Sequence, residues 1–170
     1  MVIMSVFVIL PLCLALAAIS DFFTMKIPNR ISVVLLLSFF AVAPLSGIDA
    51  STIAYSSLAG VAVFLVCFCS FAFNVMGGGD AKLLTASALW FGFNTSLLVY
   101  LISVAFIGGL LTISILLLRS RSQEILAIGI PIPDSLLVAQ KVPYGIAIAI
   151  GGLLTYPETP IVQAAIRSLL

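Results

Sequence analysis

The chain contains no histidine. That excludes Ser-His-Asp and Cys-His catalytic groupings, and histidine-ligated zinc or haem. Cysteine is scarce: Cys13, Cys67 and Cys69 lie inside apolar runs and form no C-x-x-C pair. A zinc knuckle or a thioredoxin-type redox site is therefore excluded, and the three read as small apolar packing residues. Charge is scarcer still. Seven Lys and Arg and six Asp and Glu make up 8% of 170 residues, where a soluble domain carries about 25%. The net charge of +1 gives no electrostatic footprint for nucleic acid.

What is present is apolar. Hydrophobic residues make up 63% of the chain, and the mean hydropathy is +1.35. There is too little polar surface to coat a water-soluble globule, so the natural partner is a lipid bilayer. The first 20 residues carry no charge. They contain Ala15-Leu16-Ala17, which looks like a cleavage site, but they lack a basic n-region, so they are expected to remain as a membrane helix.

The bilayer core is about 30 Å thick and a crossing helix needs about 20 residues. On that scale the charge-free runs predict crossings near 1–20, 31–47, 53–73, 97–118 and 142–157. A loop is expected over Asp21–Arg30, because Pro28 forces Ile27 out of helical geometry. Pro44 and Gly47 close the second crossing. Run 83–118 is divided by Gly92-Phe93-Asn94-Thr95-Ser96, which leaves a short helix over 81–92, only about 18 Å long. Pro131 and Pro133 break the stretch after Arg119, and the tail 158–170 is too short to span. The expected fold is all-α: a single polytopic membrane domain over 1–170 with about six crossings and the N-terminus outside. This layout puts Lys26, Arg30, Lys82, Arg119, Arg121 and Lys141 on the cytoplasmic side and only Arg167 outside, a strong positive-inside bias.

The carboxylates divide into two groups. Asp49, Glu124, Asp134 and Glu158 read as solvated loop or tail charges. Asp21 follows the first apolar run and Asp80 follows Gly77-Gly78-Gly79, both at helix ends on the same side. The short helix puts Asp80 at membrane depth, where an ionisable residue is a functional candidate. Three glycines suit a flexible loop, close helix packing, or backbone that must approach another chain. Two carboxylates hydrolyse a peptide without metal or cofactor: one as general base on water, the other as general acid. Asp21, near a helix C-terminus, is expected to be the acid, and Asp80, at a helix start, the ionised base. A small transporter or channel subunit with Asp21 and Asp80 as proton or cation ligands is a second reading. A non-enzymatic scaffold is a third.

Asp21 followed by Ile27-Pro28-Asn29, then Gly77-Gly78-Gly79-Asp80-Ala81-Lys82-Leu83, then Val142-Pro143-Tyr144-Gly145, resembles the type IV prepilin peptidase family of GxGD intramembrane aspartyl proteases. The resemblance covers nearly the whole chain and favours the protease reading over the other two. It implies Asp21 and Asp80 as the catalytic pair, with Gly77 and Gly79 as the motif glycines. It further implies a prepilin or pseudopilin substrate cut on the cytoplasmic face of a bacterial inner membrane, in the company of pilus-assembly components. Lys82 matches a basic residue after the motif, and reads either as an anchor or as a contact for an acidic substrate residue. Asn29 is expected to cap the second helix. Pro143, Tyr144 and Gly145 read either as cleft lining or as a helix start. Larger members carry a cytoplasmic insertion after the first helix, linked to N-methylation. Only nine residues, 22–30, follow Asp21 here, so no separate methylation or zinc-binding domain is expected. The chain resembles the small, peptidase-only branch serving Flp-type, tight-adherence pili.

Overall fold

The computed structural model describes residues 2–121 and 142–168; Glu124, Pro131, Pro133, Asp134 and Lys141 lie outside them. The helices are α1 (Val2–Thr24), α2 (Asn29–Val42), α3 (Ala50–Ala72), α4 (Gly78–Phe91), α5 (Thr95–Ser120), α6 (Tyr144–Thr155) and α7 (Pro160–Arg167). One-turn 3₁₀ segments follow α2 (Ala43–Ser46) and α6 (Tyr156–Glu158). No strand occurs among the described residues. Five segments are long and apolar enough to cross a membrane: 4–24, 29–46, 50–72, 95–120 and 144–167. The protein is an all-α polytopic membrane protein.

Several boundaries differ from the sequence reading, among them the start of α4 at Gly78 rather than 81. The first helix does not stop at Asp21 but runs to Thr24, so Asp21 is helical and only residues 25–28 connect α1 to α2. The segment after 157 is no loose tail. It turns through Tyr156–Glu158 and resumes as α7, which buries Ile161, Val162 and Ala165 against α1, α4 and the turn after α2. The sixth crossing is accordingly longer than 142–157, because a Pro at the first helical position restarts the helix. Cys13 and Cys67 are buried as expected, whereas Cys69 faces outward.

Helices α4 and α6 form the centre. α4 packs on α2, α3, α5, α6 and α7, while α6 packs on α1, α4 and α5. From Leu83 to Phe91 nearly every α4 side chain is buried, as expected of a helix enclosed on all sides. Small residues let the central backbones approach. A Cβ on Gly151 would lie 2.8 Å from Val104 Cγ2 and 3.1 Å from the Val104 backbone nitrogen, and one on Gly152 would meet Leu14 Cδ1 at 2.6 Å. Close backbone contact of this kind is the main source of helix association in lipid.

Several interior polar groups tie the helices together. Trp90 Nε1 donates to the Leu35 carbonyl at 3.1 Å, tying α4 to α2. The Ser87 and Tyr100 hydroxyls lie 2.8 Å apart, and the Tyr100 ring stacks on Phe91 with centroids 4.0 Å apart. At 14 residues, α4 is about 21 Å long at about 1.5 Å per residue. It is too short to cross about 30 Å of hydrocarbon by itself.

Gly151→Leu tests the central packing. The added side chain meets backbone on α5, which cannot move aside, so a loss of about 1–3 kcal/mol is expected. Unfolding of the purified protein in mixed detergent micelles measures it. A variant as stable as the parent would show that α5 and α6 do not pack this closely.

Candidate active site

Asp21 lies on the inward stripe of α1 formed by Val6, Leu10, Leu14 and Ala17, and is 5% exposed. Residues three or four apart share a helix face, so the apolar stripe itself aims this carboxylate inward. The helix ends just beyond it. Met25 adopts φ 52°, and its N–H donates to the Asp21 carbonyl at 2.9 Å, a left-handed C-cap. The connecting turn is tied by Ser20 Oγ donating to the Lys26 carbonyl at 2.8 Å and by Thr24 Oγ1 donating to the Ser20 carbonyl at 2.7 Å.

Asp80 reaches the same region from the opposite helix polarity. α3 ends on Asn74 at φ 58°, with Val75 N–H donating to Ser70 O and Asn74 N–H to Phe71 O, both at 2.9 Å. This is a Schellman termination. Gly77 is then the N-cap of α4 and Asp80 lies in its first turn. The glycines are thus mostly helical, and none of the three has a positive φ. Their value is space: a Cβ on Gly77 would lie 2.7 Å from Asp80 Oδ2, and one on Gly79 would lie 3.2 Å from Ile27 Cβ.

α6 joins the two halves. The Gly145 N–H donates to Asp21 Oδ2 at 2.7 Å. A Cβ at Gly145 would sit 2.8 Å from both that oxygen and Ile27 Cδ1, so only glycine brings this backbone so near. Ile27 therefore fills the space between the first turn of α4 and the first turn of α6. In the sequence it stands only as part of a motif; nothing in the string marks it as the residue between the two helix starts beside the acidic side chains.

One cleft of about 300 Å³ is lined by Asp21, Asp80, Gly77, Gly79 and Asn29, with Met25, Ile27 and Val142 among the other walls. Lys82 stands beside it on α4, and its Nζ donates to Asn29 Oδ1 at 3.0 Å. That replaces the expected role of Asn29: Pro28 occupies the N-cap of α2, and no side chain caps that end. Pro143 is the N-cap of α6 and is buried. The Tyr144 ring packs on α5, where it covers Gly108; a Cβ there would lie 2.4 Å from its ring atoms. Of the Pro143-Tyr144-Gly145 element, only the Gly145 backbone touches an acidic side chain by a described hydrogen bond. Asp49 and Glu158 are exposed, away from this cleft. The Asp49 carboxylate accepts from the Ser51 and Thr52 hydroxyls, which hold it below the usual carboxylate range.

The model of the type IV leader peptidase family matches residues 8–113, well over half of the chain. The chain belongs to the type IV leader peptidase family. Neither the curated proteins nor the solved structures give a match. Family membership makes this multi-pass membrane protein a peptidase. The matched span of the leader peptidase includes both Asp21 and Asp80, while the Gly145 contact lies beyond it.

Gly145→Ala is the sharpest test of the cleft. The methyl group collides with the Asp21 carboxylate and Ile27, so the carboxylate must shift. A misplacement of this kind lowers leader cleavage on the order of a hundred-fold, with insertion unchanged. Cleavage in liposomes, scored by gel mobility, measures it; parent-level cleavage would show that Asp21 is not held by α6.

Proposed function

We propose that this leader peptidase is an aspartyl endopeptidase of the GxGD type, with Asp21 and Asp80 as its catalytic pair. The observation that carries the reading is that one cleft is lined by two carboxylates arriving from the end of α1 and the start of α4. These are the residue types that peptide hydrolysis without a nucleophilic side chain requires. One carboxyl is ionised and takes a proton from water as the oxygen attacks the scissile carbonyl. The other is protonated, polarises that carbonyl and passes a proton to the leaving amine. Their titration belongs to the pair, and the pH–rate profile is bell-shaped.

The orientation follows from charge. Both acidic residues sit at the end of the bundle that carries Lys26, Arg30 and Lys82, and the positive-inside rule puts that end in the cytoplasm of a bacterial inner membrane. A prepilin has its leader there. Only four residues join α1 to α2, which leaves no room for a methylation domain at this point. That supports peptidase-only action on Flp-type prepilins. Lys82, tied to Asn29 beside the cleft, serves as a cation for an acidic substrate residue.

Asp21→Asn and Asp80→Asn are each expected to lower leader removal by at least about a hundred-fold, the usual weight of a general acid or base. Asp49→Asn retains activity. Co-expression with a candidate prepilin, followed by N-terminal sequencing of the product, measures all three. Full processing by either cleft variant would remove the aspartyl reading. For orientation, Ser51→Cys should react with an impermeant thiol reagent added outside, above the level of the parent's own cysteines, and Ser120→Cys should not. The reverse pattern would overturn the topology.

A further inference from the structure

A second groove, of about 380 Å³, lies between α2 and α4 with Phe64 of α3 on one side. Its walls are mostly apolar, with Val33, Leu36 and Phe64 exposed on the bundle's outer surface. Two hydroxyls break the pattern. Ser32 and Thr85 both line the groove, and neither Ser32 Oγ nor Thr85 Oγ1 has a hydrogen-bond partner although both atoms are buried. Ser32 is only 7% exposed. Buried hydroxyls without partners are costly, more so next to lipid. Asn29 lines both this groove and the acidic cleft, so the two spaces are adjacent and share a wall. From Asn29 to Leu36 the groove descends α2 by about 10 Å at about 1.5 Å per residue.

We infer that the groove seats the apolar stretch of the substrate that follows the scissile bond, in extended rather than helical form. This rests on the peptidase reading and adds to it the place and conformation of the membrane-side substrate. A lipid acyl chain offers nothing to Ser32 and Thr85. A helical peptide already satisfies its own backbone. An unwound apolar peptide has free C=O and N–H groups that need partners at membrane depth, and these two hydroxyls supply them. Val33, Leu36 and Phe64 take its side chains. The same unwinding frees the scissile carbonyl, one step further along the chain, for attack in the cleft.

Photo-crosslinking tests this with the full chain in phosphatidylethanolamine–phosphatidylglycerol liposomes. The probe is a peptide with a basic leader, a glycine and about twenty apolar residues, carrying a diazirine leucine at each successive position after the glycine. In the Asp80→Asn protein, alternate positions should crosslink to Val33, Leu36 or Phe64, the two-residue period of an extended chain. Crosslinks to lipid alone, or at every third or fourth position, would overturn the inference. The parent protein is assayed on the same peptide: failure to cleave would count against the peptidase reading, while the crosslinks decide the groove separately. The Ser32→Ala, Thr85→Val double variant should raise KM about ten-fold with kcat within about two-fold of the parent, as expected for two lost hydrogen bonds. An unchanged KM would remove the two hydroxyls from the binding role.

Discussion

The hydrogen bond from the Gly145 N–H to the Asp21 carboxylate is the constraint on which the cleft depends. A carboxylate at 5% exposure in a membrane bundle needs a donor, because desolvation without a partner costs several kcal/mol. The partner is backbone, and backbone reaches it only because position 145 has no Cβ. The requirement propagates outward. α6 must start at that spot, so Pro143 ends the preceding chain and sets the helix N-terminus. α6 must also lie close to α1 and α5, so Gly151 and Gly152 replace larger side chains along its length. The dense centre of the bundle and the position of the acidic side chain are thus one packing solution.

The shortness of α4 is the second half of that solution. A helix of 14 residues enclosed by its neighbours brings a helix N-terminus, and Asp80 with it, within the outline of the bundle. The half-buried glycine backbone there lines a cleft, the setting in which irregular backbone is tolerated near a membrane. The Gly77–Gly79 segment lets the Asp80 carboxylate fold back over its own helix start and lets α4 rest on Ile27. The two acidic residues line one cleft from the C-terminal turn of one helix and the N-terminal turn of another, so their surroundings differ from the start. The proposed catalytic pair needs that inequality.

The α2–α4 groove shows the same economy. Trp90 bonded to the Leu35 carbonyl holds α2 and α4 together at depth, while Lys82 bonded to Asn29 holds them at the cleft end. Between these two ties the helices part and leave Ser32 and Thr85 without partners. The groove and the cleft therefore share one wall at Asn29.

Much of this was determined by the sequence alone. The scarcity of charge, the lengths of the apolar runs and the break at Gly92 dictate a polytopic helical bundle with one short helix, because a bilayer of fixed thickness admits little else. Two acidic residues at the ends of such runs stand out for the same reason. The tertiary structure decided what apolar runs cannot encode. A membrane helix is apolar on every face, so periodicity did not reveal that Asp21 shares the inward stripe of α1, or that Tyr144 covers Gly108. The loop drawn over 21–30 became mostly helix because the cap depends on a left-handed Met25 and on local side-chain bonds, which no residue type announces. Asn29 changed role because its partner, Lys82, lies far along the chain. The helix α7 was missed because eight residues are too few to span alone, and only packing against α1 and α4 makes them the continuation of α6.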